Sequence, residues 1–525
     1  MTRSNVLKSG DPAHGHQARV GKTLKDSTPW WPPKPERRGP NIVFVLLDDL
    51  GFSDFGCYGS EIRTPHIDAL AASGLRYTQY TTVPMCTPAR AALMTGKNPH
   101  AVGCGWLTHS LPGYPGYQAG AISPDAPTLP ELLREAGYGT YGVGKWHNTP
   151  DHEVSSGGDK SSWPLQRGFD RFYGFLGAET NFFSPGHLIE GNEFTQADAY
   201  REGYYTTEDW TDRALQYLRG HVGHDPQRPF FLYVAHNAPH VPLQARPEDI
   251  ARYDGVYDAG WDVLRQARFE RQKRAGIVPQ DWTLGAAAPG VPAWSEVPEG
   301  QRPLMARYMQ IYAAMVEAVD RSIGELCAEL KRLGVWDDTL IVLTSDNGAS
   351  SIGGPAGSAN IFEKRVTQQE NPELAAGMLK AGTLGDVDSY PAYPVAWAQA
   401  SNTPFRFYKR TPMNGGIRVP FLAHWPRGIS EGGSLRSQWV HATDLLPTVL
   451  DLLQMDYPAQ HRGYATRKPD GVSFAKTFQQ GDSPSRRDRQ YYELEGNRGY
   501  RLGPWKAVSL QPPGQPIDLE RWMLF

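Results

Sequence analysis

The feature that most constrains the fold is an uninterrupted apolar run at residues 41–47, Asn-Ile-Val-Phe-Val-Leu-Leu. Its length is that of a β-strand. A strand that is apolar throughout is covered on both faces, as in a parallel sheet flanked by helices. The run ends abruptly in two acidic residues, Asp48 and Asp49. The sequence therefore predicts a buried strand with a charged carboxyl end.

Three further apolar runs of strand length follow at 140–144, 229–235 and 339–345. Helical patterns lie between them. A capping box, Thr128-Leu-Pro-Glu131, opens a helix that we expect to stop at Gly137, and an amphipathic stretch from about 304 to 333 precedes the last run. This alternation favours an α/β fold, with a large mixed, mostly parallel central sheet and helices on both faces.

The chain has 525 residues, and at roughly 100 to 200 residues per domain it can form a large domain with a smaller companion. We expect residues 1–40 to be an extended N-terminal arm, 41–453 a large domain, and 454–525 a small C-terminal α+β domain. Short strand-like pieces at 489–494 and 505–510 support the last of these. Residues 280–300 and 350–404 are rich in Gly, Pro, Ala and Ser, which predicts irregular lids or site walls.

The formal net charge is -3, so the chain has no global basic field that would attract nucleic acid or an anionic membrane. Four cysteines in a chain of this length do not make a disulfide framework, which fits a reducing compartment. No apolar stretch has the length of a signal peptide or a membrane span. These observations predict a cytoplasmic protein that binds neither nucleic acid nor membrane.

Polar residues follow each of the four apolar runs. Because strands of an open α/β sheet present ligand-binding residues at their carboxyl ends, these clusters predict a single site. Asp-Asp-Leu-Gly is also typical of a turn with a helix cap, and Asp-Asn-Gly of a plain turn, but their joint placement favours a site. The carboxylates and amide offer only oxygen ligands, which select calcium or magnesium over zinc. The clusters are Asp48-Asp49, Lys145-Trp-His147, His236-Asn-Ala-Pro-His240 and Asp346-Asn347.

His236 and His240 are four residues apart, a spacing that would suggest a zinc pair on a helix. Pro239 argues against such a helix. We therefore expect His236 to be a hydrogen-bonded structural residue.

The sharpest segment is Met85-Cys86-Thr87-Pro88-Ala89-Arg90, followed by the helix-compatible residues 91–96. Pro88 suits the first turn of a helix, which places Cys86 at the helix N-terminus, where backbone amides attract an anion. A buried cysteine near a helix cap is the alternative. A cysteine protease is disfavoured because none of the protease signatures is present.

These residues resemble a known family. Cys86-x-Pro88-x-Arg90 with Thr95-Gly96 is similar to the signature of the type I sulfatases, which have the alkaline phosphatase-like fold and in which this cysteine is oxidised to formylglycine after translation. The resemblance runs from about residue 28 to near the chain end and is strongest to bacterial arylsulfatases. It also rests on the segments Asp48-Asp-Leu-Gly-Phe-Ser-Asp54, Gly144-Lys-Trp-His147, Ala238-Pro-His-Val-Pro-Leu-Gln244, Thr344-Ser-Asp-Asn-Gly348, Tyr408-Lys409 and Asn414-Gly-Gly-Ile-Arg-Val-Pro420.

The resemblance implies a sulfuric ester hydrolase that acts on aryl or alkyl sulfates through a covalent sulfo-enzyme on formylglycine 86. Its cofactor would be one calcium ion, held by Asp48, Asp49, Asp346, Asn347 and the modified Cys86. Arg90 and His147 would orient and deprotonate residue 86. Lys145, His240 and Lys409 would contact the sulfate, and His240 would also protonate the leaving oxygen. The implied partners are a small sulfate ester and a formylglycine-generating or other sulfatase-maturing enzyme.

A hydrated aldehyde suits this chemistry because one hydroxyl attacks sulfur and deprotonation of the other expels sulfate. Two alternatives stay open: a formylglycine-dependent phosphonate monoester or phosphodiester hydrolase, and an inactive binding homologue in which Cys86 stays a thiol. We expect the irregular stretches 104–120, 155–190 and 350–404 to form the walls of the pocket, and their aromatic residues suggest an apolar or aromatic ester group. The chain ends with the strand-like residues 521–525, after which members of the resembled family usually continue, so we expect the C-terminal domain to be shortened.

Overall fold

The computed structural model describes residues 21–27, 39–109, 116–117, 120–195, 202–369, 371–512 and 514–525. The chain divides into two compact units, residues 1–38 and 39–525. In the first unit the described residues contain one 3-10 turn, Leu24–Asp26, and most of the predicted N-terminal arm lies outside the described residues.

The strands of the described residues are numbered in chain order. They are β1 Asn41–Leu47, β2 Leu75–Thr81, β3 Gly139–Lys145, β4 Arg171–Phe175, β5 Leu188–Glu190, β6 Glu193–Phe194, β7 Phe230–Ala235, β8 Thr339–Ser345, β9 Phe421–His424, β10 Leu435–His441, β11 Gln460–His461, β12 Tyr464–Ala465, β13 Arg489–Leu494, β14 Asn497–Leu502, β15 Trp505–Ser509 and β16 Met523–Leu524.

A central ten-stranded sheet has the order β10-β2-β9-β8-β1-β7-β3-β4-β5-β6. Its five middle strands, β8, β1, β7, β3 and β4, are parallel to one another. Antiparallel pairs occur at β9, which pairs with β2 and β8, and at the β4-β5-β6 edge. The predicted mixed, mostly parallel sheet is confirmed.

The helices are numbered in the same way. They are α1 Pro65–Ser73, α2 Cys86–Thr95, α3 Leu129–Glu135, α4 Thr206–His224, α5 Pro247–Ala251, α6 Gly260–Arg274, α7 Arg302–Arg332, α8 Ile361–Thr367, α9 Pro372–Ala381, α10 Val395–Ser401, α11 Asn414–Ile417 and α12 Leu445–Leu452. No helix among them is long and apolar enough to cross a membrane.

Strand β1 shows why its sequence is apolar throughout. Successive side chains of a strand point to opposite faces, and here each face meets a separate core. Val43 and Val45 pack in the core that contains residues of α7, whereas Ile42 and Phe44 pack in the core that contains residues of α2, α3 and α12. Each buried side chain of this kind stabilises the fold by about 1.5–3 kcal/mol, so both faces require apolar residues.

Most sequence-predicted elements have their expected positions. Strands 41–47 and 339–345 match β1 and β8. The helix after Thr128 has the predicted capping box and ends at Glu135, close to Gly137. Irregular structure is confirmed for 280–300, where the structure has only short 3-10 turns. The prediction of irregular structure is wrong for 350–404, which contains α8, α9 and α10. All residues of α10 are buried, and their packing in the core stabilises a helix that the composition of the segment does not predict.

The C-terminal residues form a small antiparallel sheet, β13-β14-β15-β16. Strand 489–494 has its predicted bounds, and 505–510 is β15, one residue shorter. The inward face of this sheet packs on the large domain: Tyr492 donates its hydroxyl to Thr81, 3.3 Å, and Leu494 is fully buried. The small sheet therefore borders the carboxyl end of β2.

Candidate active site

The four strand ends predicted to share a site lie at one edge of the sheet. In register, Leu47 of β1 is opposite Ser345 of β8, and Ala235 of β7 is opposite both Leu46 of β1 and Gly144 of β3. The residues that follow these positions therefore emerge side by side. The structure brings together Asp48, Asp49, Lys145, His147, His240, Asp346 and Asn347.

Three basic side chains pair with three carboxylates in this cluster. Lys145 Nζ donates to Asp48 Oδ2 at 2.5 Å, and Lys409 Nζ donates to Asp49 Oδ1 at 2.5 Å. From helix α2, Arg90 donates Nε and Nη2 to Asp346 Oδ2, at 3.0 and 2.8 Å. Fully buried charges are tolerated only when they are paired in this way.

The pairing controls the acidity of the buried groups. Burial alone would raise the pKa of Asp48, but the positive charges of Lys145, His240 and Arg90 bring it below its ordinary value. Burial, helped by the negative charge of Asp48, raises the pKa of Asp346. Burial opposes the charge of Lys409, but its neighbouring carboxylates, Asp49 foremost, raise the pKa of that ammonium. The cluster holds dense charge of both signs away from water.

Three buried oxygens fit a cation. Asp48 Oδ1, Asp49 Oδ2 and Asn347 Oδ1 have no hydrogen-bond partner among the described residues, although buried polar atoms normally have one. Calcium and magnesium take such carboxylate and amide oxygens as ligands. Both oxygens of Asp346 already accept hydrogen bonds, from Arg90 and from the Asp49 N–H, so its ligation stays a prediction.

A second set of atoms also suits a metal ion. Ligand atoms of Asp48, Asp49 and His240 all lie within 4.8 Å of one another. The two sets share the aspartates and differ in the third ligand. A hard cation prefers the oxygen of Asn347 to an imidazole nitrogen.

Cys86 is the first residue of α2, after the extended N-cap residue Met85. Pro88 lies in the first turn, as predicted, and Arg90 reaches Asp346 from the second. Gly96 ends the helix with a φ of 66°, a left-handed conformation that favours glycine. Cys86 is only 2% exposed, and burial raises the pKa of its thiol. The spacing Cys-x-Pro-x-Arg therefore puts a buried sulfur at a helix N-terminus and its arginine on a carboxylate.

His147 is positioned by an unusual backbone. A side chain at Gly144 would meet the carbonyl oxygen of Ala235 at 2.0 Å, so only glycine fits there. His147 itself has a φ of 56°, and Asp49 has a φ of 65°. Left-handed residues other than glycine cost about 1–3 kcal/mol and persist where surrounding contacts hold them.

The imidazole of His147 faces no fixed partner. Both ring nitrogens are buried without a hydrogen-bond partner among the described residues. Burial and the charges of Lys145 and Arg90 hold its pKa well below the ordinary value. A neutral imidazole at this position can accept a proton.

His240 and His236 point to different surroundings. The Nδ1–H of His240 donates to the Val241 carbonyl, 2.8 Å, and its Nε2 lies 3.5 Å from Asp49 Oδ2. His236 Nε2 instead contacts Ser322 Oγ at 3.2 Å, and burial lowers the pKa of His236 to about 3. No helix joins the two residues. The two imidazoles therefore have different partners, and His236 makes the hydrogen bond expected of it.

A cavity of about 740 Å³ opens above the cluster. Its wall includes Cys86, His147, His240 and Lys409. Lys145 is fully buried and does not form part of the described wall, so its predicted contact with sulfate would require access through the cluster. The remaining wall comes mainly from loops, with Arg365 contributed by α8.

The loops predicted to form the walls do so. Trp106, Leu107 and His109 come from the first predicted stretch, Ala178 and Glu179 from the second, and residues 350–352 with Arg365 from the third. Trp106 is the one Trp, Tyr or Phe side chain on the described wall, so the wall is less aromatic than the sequence suggested.

Sequence reasoning missed Arg365 and Arg410, which also line the cavity. It also missed Leu494 of the C-terminal sheet, which packs in a small cluster with Met85, Cys86 and Trp106. The position of Arg410 directly after Lys409 was a usable signal.

The fold and the cluster define an α/β enzyme of the alkaline phosphatase-like fold with a buried charged site at the strand ends. The family model described as "Sulfatase" matches residues 40–455. The chain belongs to the sulfatase family.

Individual proteins agree with this assignment. The chain is 32% identical to an uncharacterised sulfatase of Schizosaccharomyces pombe, over 93% of this chain and 89% of that protein. It is 30% identical to an arylsulfatase of Klebsiella aerogenes, over 80% of this chain and 88% of that protein. Among solved structures, Ps i-CgsB in complex with k-i-k-neocarrahexaose matches with a TM-score of 0.61 and 27% identity, covering 93% of this chain and 86% of that one.

Proposed function

We propose that this sulfatase hydrolyses aryl or alkyl sulfate esters on a formylglycine made from Cys86, with one calcium ion. The observation that carries the proposal is the place of Cys86: it lies on the cavity wall, at the N-terminus of α2, beside a cluster of paired charges and unpaired oxygens. When formed, the hydrated aldehyde supplies one hydroxyl to attack sulfur and a second whose deprotonation releases sulfate.

The positively charged side chains of the site reduce the electrostatic repulsion that opposes the reaction. A sulfate ester is an anion, and it repels an incoming anionic oxygen, so positive charge must be in place beforehand. Lys409 lies on the cavity wall and can contact the sulfate directly. Arg90 and Lys145 add positive charge from buried positions, where hydrogen bonds to carboxylates hold both side chains in place.

The metal ion would add to this field. Asp48, Asp49 and Asn347 would hold it through their unpaired oxygens, joined by Asp346 and residue 86. A bound divalent cation lowers the pKa of a coordinated hydroxyl and stabilises charge that develops at the reacting oxygens.

Two histidines on the cavity wall suit the proton transfers. His147, held neutral by burial and neighbouring cations, would take the proton that releases sulfate. His240 keeps Nδ1 engaged with a carbonyl, so Nε2 is the nitrogen free to carry a proton to the leaving oxygen. The two roles need nitrogens in different surroundings, which the site provides.

Cys86 is too buried for an enzyme to reach it in the folded chain. We therefore expect the proposed sulfatase-maturing partner to act before the fold closes over α2. An unmodified Cys86 is the inactive alternative.

The phosphonate monoester or phosphodiester hydrolase remains the rival within the fold. The test is a panel of aryl, alkyl and sugar sulfates assayed beside phosphate and phosphonate esters with the same leaving groups. We expect the largest kcat/KM for a sulfate, with phosphate and phosphonate esters as slower side substrates because they are similar in size and shape. A larger kcat/KM for a phosphonate monoester or phosphodiester would contradict the proposed function.

A further inference from the structure

Arg410 lies directly after Lys409 and on the same cavity wall as Cys86. The backbone holds the two neighbours in place: Lys409 N–H donates to Ala349 O at 3.0 Å, and Arg410 N–H donates to Pro84 O at 2.8 Å. Lys409 is buried on Asp49, whereas the Arg410 side chain is 57% exposed. A leaving group that extends from a sulfate at Lys409 toward the exposed part of this wall would therefore pass Arg410.

The guanidinium of Arg410 is oriented by Glu495. Arg410 Nε donates to Glu495 Oε2 at 3.0 Å, and Nη2 donates to Glu495 Oε1 at 2.6 Å. A planar fork held in this way suits a carboxylate or a sulfate group. Glu495 is itself 33% exposed, and its carboxylate is not part of the described cavity wall.

Arg410 and Glu495 both have a left-handed backbone conformation, which is unfavourable for residues of their types. Arg410 has a φ of 74° and Glu495 a φ of 52°. Glu495 and Gly496 form the two-residue loop between β13 and β14, where positive φ at both positions normally selects Asn, Asp or Gly. Departures from local rules of this kind cluster at functional sites.

The loop is also anchored beside the reacting residue. Leu494 packs in the cluster that contains Cys86 and Trp106, and the Glu495 N–H donates to the hydroxyl of Tyr117 at 3.0 Å. Thus the C-terminal sheet sets the position of Glu495 relative to the cavity.

We propose that Arg410 is a specificity-determining residue that binds a second anionic group, a carboxylate or a sulfate, on the leaving group; this inference rests on the proposed sulfate ester hydrolysis. In the free enzyme Glu495 neutralises and orients Arg410. An anionic substrate group takes the remaining N–H donors of the guanidinium and competes with the glutamate for its charge. A second arginine, Arg365, lines the same cavity and is paired with Glu179, which lines the cavity as well.

If Arg410 binds the second anion, substitutions of Arg410 and of Glu495 should change the preference for anionic substrates in opposite directions. Removing the charge of Arg410 takes away the donor for the second anion. Removing the charge of Glu495 takes away a competitor and leaves the arginine uncompensated. A purely structural ion pair would respond in the same direction to both changes.

The experiment compares 3- and 4-carboxyphenyl sulfate with the uncharged carbamoylphenyl sulfates of matched size, using matured enzyme. The readout is the ratio of kcat/KM for the carboxylate to kcat/KM for the amide. Arg410→Gln should lower this ratio at least about fivefold, mainly through KM of the carboxylate, because a charge-assisted hydrogen bond is lost. Glu495→Gln should raise the ratio severalfold, and Arg410→Lys should restore part of it.

Arg489→Gln is the matched control. Arg489 is an exposed arginine on the same sheet, paired with Asp488 and away from the cavity wall, so the ratio should not change. Ratios that are unaffected by Arg410→Gln, or that move in the same direction in both pair variants, would overturn the inference while sulfate turnover persists. Absence of turnover of every sulfate by the wild type would overturn the proposed function and the inference with it.

Discussion

The floor and the rim of the cavity carry similar charges in opposite environments. The floor comprises Asp48, Asp49, Arg90, Lys145 and Asp346, all buried and paired with one another or with Lys409. The rim comprises the pairs Arg365–Glu179 and Arg410–Glu495, whose arginines are 40% and 57% exposed. The floor comes from strand ends and α2, and the rim comes from loops and α8.

The burial of an ion pair determines how much free energy is lost when one of its partners is removed. Removing one partner of a buried pair costs about 3–5 kcal/mol, because a charge is left unpaired out of water. An exposed pair contributes only about 0–1 kcal/mol. Changes in the floor should therefore affect every sulfate ester, whereas changes in the rim should alter the preference among them. The following experiments test this division.

The largest effect should come from Cys86→Ala, which removes the proposed nucleophile precursor. We expect turnover of all sulfate esters to be abolished while thermal unfolding stays cooperative, because the change is small. The mass of the Cys86 peptide from active wild-type enzyme should correspond to formylglycine. Wild-type activity in Cys86→Ala would contradict the central role of this residue.

Removal of the metal ion should have the second-largest effect. Chelation should inactivate the enzyme and lower its Tm, because a bound ion stabilises the folded state, and calcium should restore both. Asp49→Asn should weaken calcium binding at least about tenfold, since even residues behind a ligand have effects of that size. Elemental analysis that finds stoichiometric zinc, with neither calcium nor magnesium, would be incompatible with an oxygen-only site.

His240 should show a smaller effect that depends on the leaving group. His240→Ala should cost about 10² to 10⁴ in rate for alkyl sulfates and poorly activated phenyl sulfates, the usual contribution of a general acid. Nitrophenyl sulfate should lose little, because its phenolate departs without a proton.

His236→Ala is the matched control. It should mainly reduce stability, because His236 contacts Ser322 in the interior. Rates measured across phenyl sulfates of graded acidity distinguish the two residues, and a steeper dependence in His236→Ala would reverse the assignment. The calcium content of His240→Ala matters as well: loss of the ion would make His240 a ligand, as its proximity to Asp48 and Asp49 allows.

Much of the floor could be predicted from the sequence, for a local physical reason. A strand covered on both faces must be apolar throughout, so β1 and β8 are visible as uninterrupted runs with the observed bounds. Because the strands are parallel, the polar residues that follow such runs lie together at one edge of the sheet. Asp48, Asp49, Asp346 and Asn347 could therefore be grouped without coordinates.

Only the tertiary structure decided which charges pair and how the rim is built. The contact of Arg90 with Asp346 joins residues 256 positions apart, and that of Arg410 with Glu495 joins two loops with no shared sequence pattern. The left-handed backbones of Asp49 and His147 depend on contacts that hold a strained conformation. Periodicity reports which face of an element is buried, but pairings between distant loops arise from packing of the whole chain, which no local pattern encodes.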